Sequence, residues 1–168
     1  TDQPFDPTRG PLWSYFETKE LKRCPAFTES DYSSGFEAGT GGYGYNNEYV
    51  GRVKRSQAGS QSGAHRAWFD QPSKTLMFAD TAMAVAASPL TLIEYSFAEP
   101  PSYTSSDADP SLHFRHRGQV NVAWLDGHID ARSMTFTRAN IYGVSQAQNQ
   151  EAGIGWFGPA NNKFFDRQ

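Results

Sequence analysis

The residues of this chain best suited to chemistry gather between His113 and Arg132. His116, Asp126, His128 and Asp130, with His113 close by, supply the imidazole and carboxylate groups that a transition-metal site uses. Asp107 and Asp109 offer hard oxygen ligands of the kind calcium prefers. Ordinary structural roles compete with both readings. Asp126 precedes Gly127 at a turn, where an aspartate can bond to its own backbone, and paired acids in a loop are commonly solvated. Nucleophilic catalysis has little to start from, because the chain holds no Gly-x-Ser-x-Gly elbow and no glycine-rich phosphate loop with a following Lys-Ser or Lys-Thr. Cys24 stands beside Pro25 with no activating partner in the sequence, and Glu17 and Glu20 fit a solvated helix surface. The chain therefore reads as non-enzymatic.

Most of these side chains must be placed by one β-hairpin. Residues 120–125 and 128–133 flank Asp126-Gly127, and a two-residue Asp-Gly link predicts a type I′ turn with positive φ at both positions. That turn sets Leu125 opposite His128, Trp124 opposite Ile129, Ala123 opposite Asp130, Val122 opposite Ala131 and Asn121 opposite Arg132. Alternation then gives Val120, Val122, Trp124, Ile129 and Ala131 one apolar face, with Asn121, His128, Asp130 and Arg132 on the other. Upstream, Pro72 leads into a strand over 75–80 in which Leu76, Phe78 and Asp80 share a face. A carboxylate at the end of such an apolar row costs several kcal/mol to bury unless a donor is near, so Asp80 is expected to have one.

Further strands are predicted within 41–53, with a turn at Asn46-Asn47, and over 90–97. Tyr43, Tyr45 and Tyr49 in the first of these are expected to pack within the sheet. A short helix is predicted from Pro11 to about Lys22, ended by Cys24-Pro25 because the residue before proline avoids the α region. Residues 1–10 read as an arm or linker, 28–40 and 56–63 as polar loops, and 100–110 as a long loop. Residues 82–87 give no clear pattern, and 147–152 suggest one weak helical turn. Trp156, Phe157, Phe164 and Phe165 crowd the tail and must pack on the sheet or on a neighbouring subunit.

Composition sets the outer bounds. The 168 residues suit one domain, and 24 aromatics (12 Phe, 8 Tyr, 4 Trp) with 15 Gly and 10 Pro favour short strands joined by turns. A net charge of −3 argues against a nucleic-acid partner, and Arg115, His116 and Arg117 are expected in a surface loop. One cysteine makes no intrachain disulfide, so Cys24 is expected as a buried thiol or, in an exported protein, as a link to another chain. No run approaches the roughly 18 apolar residues of a membrane span, and no signal peptide is visible.

His116 and Asp126-Gly127 enclose nine residues, and His128 follows at once. Arg23-Cys24-Pro25 with Tyr43-Gly44-Tyr45-Asn46, the run from Pro72 to Asp80, and Ile154-Gly155-Trp156-Phe157-Gly158-Pro159 with Asn161-Asn162 accompany that spacing in a fixed order. Together they resemble the pilin-like proteins marked by a His, nine-residue, Asp-Gly motif, relatives of type II secretion pseudopilins. The resemblance implies an α+β fold, a pilin-like antiparallel sheet with short helices and long loops, packed against a long apolar N-terminal helix. It implies a structural or assembly subunit of a cell-surface filament or secretion-like apparatus, partnered by its own copies or other pilin-like subunits. The chain then reads as the extracellular or cell-surface globular part of an exported precursor, meeting a membrane only through that helix. Contacts are expected through the aromatic tail, the arm and the long loops. No cofactor is expected beyond calcium, which some pseudopilins hold and for which Asp107 and Asp109 are the candidates. The family pattern at Asp80 and His116 suggests that these two meet as a structural latch. Two other readings stay open: a surface carbohydrate-binding domain using exposed Tyr and Trp, and a metal-dependent hydrolase centred on His116 and His128.

Overall fold

Short runs of β-branched and aromatic residues, cut by Gly, Pro and Asn, can only make short strands, and the fold is built from them. The computed structural model describes residues 23–27, 40–51, 63–103 and 106–167. The expected arm and the helix over 11–22, with most of the loops expected over 28–40 and 56–63, lie outside the described residues. A four-stranded antiparallel sheet runs in the order β1 (Tyr43–Tyr45), β2 (Leu76–Asp80), β6 (Gln119–Trp124), β7 (Ile129–Ser133). Two small ribbons flank it: β3 (Met83–Val85) with β4 (Thr91–Ile93), and β5 (Leu112–His113) with β8 (Ile154–Gly155). One six-residue helix, α1 (Gln146–Glu151), completes the regular structure apart from two 3-10 turns at Arg66–Trp68 and Pro72–Lys74. The architecture is thus mainly antiparallel β with little helix among the described residues.

The strand expected over 90–97 is shorter than its sequence suggests, since Thr81 Oγ1 donates to the Tyr95 carbonyl and Phe97 only bridges to Tyr45. The helix near 147–152 is firmer than expected. Ser145 and Gln148 form a reciprocal capping box, satisfying two amide donors at its start.

The hairpin departs from the expected register by one residue. β6 and β7 pair Val120 with Arg132, Asn121 with Ala131, Val122 with Asp130 and Ala123 with Ile129. The link is therefore three residues long, because the Trp124 amide donates to the His128 carbonyl and the Gly127 amide returns to Trp124. Gly127 alone takes positive φ, at 97°, and Asp126 does not, which is the type I turn with a bulge and not type I′. The tight two-residue turn lies instead at Arg117-Gly118, with φ of 57° and 78°, between a mutually bonded His116 and Gln119.

This slip reassigns the faces of β7. Val120, Val122 and Trp124 still point into the core, but Ile129 is 70% exposed. Asp130 turns inward to accept the Trp124 Nε1–H at 2.9 Å. Arg132 lies over the same indole, and His128 stacks on it. A polar strand therefore covers the tryptophan. In β2 a bulge between Leu76 and Phe78 likewise breaks the expected row, sending Leu76 into the core and leaving Phe78 and Asp80 on the opposite face.

The main core fills the inner side of the sheet with Leu76, Ala79, Val120, Val122, Trp124, Trp156, Phe157 and Phe165, all buried. Trp156, Phe157 and Phe165 are thus structural, with Phe164 half-buried against them, which corrects their assignment as a contact surface. Fully burying side chains of this size contributes roughly 1.5–3 kcal/mol each, and that gain seats the tail on its own sheet. Asn46, fully buried, ties the layers together by donating to the Leu76 and Phe165 carbonyls.

Candidate functional site

On the outer face of the sheet, Asp80 is only 2% exposed. Donors surround its carboxylate on both oxygens. Arg115 Nη2 reaches Oδ1 at 2.7 Å, the Asn121 amide donates to Oδ2 at 2.8 Å, and His116 Nε2 lies 3.2 Å from Oδ2. The Asp80–His116 contact expected from the sequence is present, but Arg115 is the closer partner. Far from standing in a surface loop, the Arg115 side chain is 3% exposed. Its other N–H groups go to the Gly42 and Thr81 carbonyls and to Cys24 Sγ. A guanidinium can only donate, so His113 Nδ1, 3.3 Å from Arg115 Nη1, is the acceptor in that contact.

The fold brings these groups together from distant points of the chain. The Arg117-Gly118 turn folds His116 back beside β6, and Gly42, at φ 80°, offers its carbonyl to both the Thr81 amide and Arg115. The Cys24 amide bonds to the Gly41 carbonyl, which docks residues 23–27 at the start of β1. Cys24 Sγ consequently sits 3.5 Å from His116 Nε2 and 3.3 Å from Arg115 Nε. Phe27 closes the side of the cluster, under the Arg115 guanidinium and edge-on to His113.

A cleft of about 240 Å³ opens beside these groups, lined by Pro25, Tyr43, Phe78, Ala123 and Ile129 with Cys24, Asp80 and His116 at its floor. Burial, together with the charges of Cys24 and Asp80, pushes the Tyr43 hydroxyl up from its ordinary value, so it stays protonated. Burial next to Arg115 and His116 lowers His113 to about 4, which keeps it neutral.

The candidate metal grouping read from the sequence separates into different contacts. His128 Nδ1 pairs with Asp126 at 2.7 Å at the exposed hairpin tip, and that bond holds the Asp126 carboxyl below its usual range. Burial raises the Asp130 carboxyl, but bonds from Arg132 and Trp124 outweigh it and keep it low. Asp107 pairs with Arg138 at 2.8 Å, while Asp109 accepts the Ile141 amide at 2.9 Å, so each calcium candidate has its own structural partner. Among the described residues, the compact metal-type grouping is Cys24, Asp80 and His116. Sequence reasoning named two of the three and missed Cys24 and Arg115. The available signal was the Arg23-Cys24-Pro25 stretch, whose nearness to His116 only the fold reveals.

The cluster is not arranged as a nucleophile relay. Such a relay places the nucleophile and the orienting acid on opposite nitrogens of one imidazole. Here Cys24 Sγ and Asp80 Oδ2 both face Nε2. Compared with protein-family models, curated proteins and solved structures, the chain matches none.

Proposed function

We propose that this chain is a non-enzymatic structural or assembly subunit of a cell-surface filament or type II secretion-like apparatus, as its resemblance to pseudopilins implies. The observation that carries the reading is the asymmetry of the four-stranded sheet. Its inner face is filled by the chain's own tail, whereas its outer face keeps Tyr43, Phe78 and Ile129 exposed. Soluble chains rarely leave a sheet face apolar unless something covers it. The long apolar helix of a pilin-like subunit is the covering element such a face suits. The dispersed histidines and the one-sided use of the His116 ring support a role without catalysis.

The carbohydrate reading draws less support. A sugar platform needs flat, exposed rings, while Tyr45 and Phe78 on this face are tilted by 37° to one another. The assembly reading is tested by shearing surface appendages from cells that encode the protein and probing fractions with an antibody to this chain. Enrichment in the sheared or envelope fraction is expected. Recovery wholly in the cytoplasmic fraction overturns the proposal.

A further inference from the structure

We infer that Cys24, His116 and Asp80 form a zinc site that staples residues 23–27 to the sheet. Nε2 of His116 faces Cys24 Sγ at 3.5 Å and Asp80 Oδ2 at 3.2 Å. A single ring nitrogen carries either a proton or a lone pair, so it cannot serve a thiol donor and a carboxylate acceptor together. A cation in the gap satisfies all three atoms.

The spacing fits. Zn–S of about 2.3 Å and Zn–N or Zn–O of about 2.0–2.2 Å put neighbouring tetrahedral ligands roughly 3.3–3.6 Å apart. The Cys24–His116 and His116–Asp80 separations lie close to that range, and all three ligand atoms fall within 4.8 Å of one another. The donor set is also selective. Thiolate with imidazole and one carboxylate suits zinc or cobalt, whereas calcium and magnesium take oxygen shells.

The surroundings match what a metal-ligand shell requires. Asp80 divides its work, with Oδ1 held by Arg115 and Oδ2 steadied by the Asn121 amide. Arg115 Nε donates to the Cys24 sulfur. Such outer contacts orient ligands and stabilise a thiolate. Binding takes the proton from the Cys24 thiol and releases it to solvent, and His116 presents its Nε2 lone pair with its proton on Nδ1. The cleft lined by Tyr43 lies beside the three ligand side chains.

The ligands come from three separated points, so one ion joins the Cys24 segment, the end of β2 and the turn before β6. The test uses tag-free protein reduced with a non-chelating phosphine, titrated with zinc against a chromophoric chelator and separately with cobalt. One zinc per chain is expected, with a thiolate-to-cobalt charge-transfer band, tetrahedral d–d bands and a zinc-dependent rise in Tm. Outer-shell substitutions cost about 10–100-fold in metal affinity, so Cys24→Ala and His116→Gln are each expected to lose more than about 100-fold. Asp80 is left intact because it also neutralises Arg115. If His116→Gln does not fold, Cys24→Ala with its circular dichroism spectrum decides. Failure to take up zinc, or uptake unchanged in folded Cys24→Ala, overturns the site.

Discussion

At the scale of single residues, charge is buried here only where it is answered. Asp80 and Arg115 are both nearly inaccessible, and each leaves the other exposed to a desolvation penalty if removed. His116 adds to this pair from a position that is 31% exposed. With a chelator present, single and double alanine variants at Asp80 and His116 should show a coupling of roughly 0.5–1 kcal/mol by denaturant melts; strictly additive losses refute the contact. His113 gives a separate prediction. Its folded value of about 4 lies below the ordinary value of 6.5, so between these limits the unfolded chain binds the proton that the folded chain refuses. Stability from this group is complete above about pH 6.5 and falls as the pH drops, by up to about 1.4 kcal/mol per pH unit. His113→Gln should flatten the Tm profile between pH 6.5 and 4, and an unaltered slope would place the acid sensitivity elsewhere.

At the scale of elements, the strands and their turns were readable where periodicity and turn chemistry agreed. The strands expected over 75–80, 120–125 and 128–133 stand within a residue of those bounds. The hairpin's register did not follow, because Asp-Gly serves a two-residue type I′ turn and the last positions of a three-residue bulged turn equally well. Alternating polarity favoured an inward Ile129, yet the indole N–H of the buried Trp124 needs an acceptor, and an inward Asp130 supplies it. The cluster around His116 was half legible for a related reason: a local sequence pattern shows the turn but not which distant segment docks on it. The register carries its own test. Ile129→Thr should change stability by no more than about 0.5 kcal/mol, as an exposed position does. Asp130→Ala should cost roughly 1–3 kcal/mol by orphaning the Trp124 donor. The reverse order, measured by urea denaturation, would restore the expected pairing.

At the scale of the whole molecule, two aromatic surfaces have opposite fates. The tail rings Trp156, Phe157 and Phe165 are spent on the inner face, so they cannot also meet a partner. Trp156→Ala should cost about 3–5 kcal/mol and act through unfolding alone. The outer face is different in kind, since Ile129 and Phe78 contribute less to the fold than their size suggests. If a covering helix or neighbouring subunit lies there, polar side chains at those positions must disturb assembly while sparing the folded chain. The double variant Phe78→Gln with Ile129→Asp should therefore keep a folded spectrum and lose its place in the sheared surface fraction. Normal recovery in that fraction would show that this face is not the one that joins subunits, and would move the search for the contact to the long loop before β5.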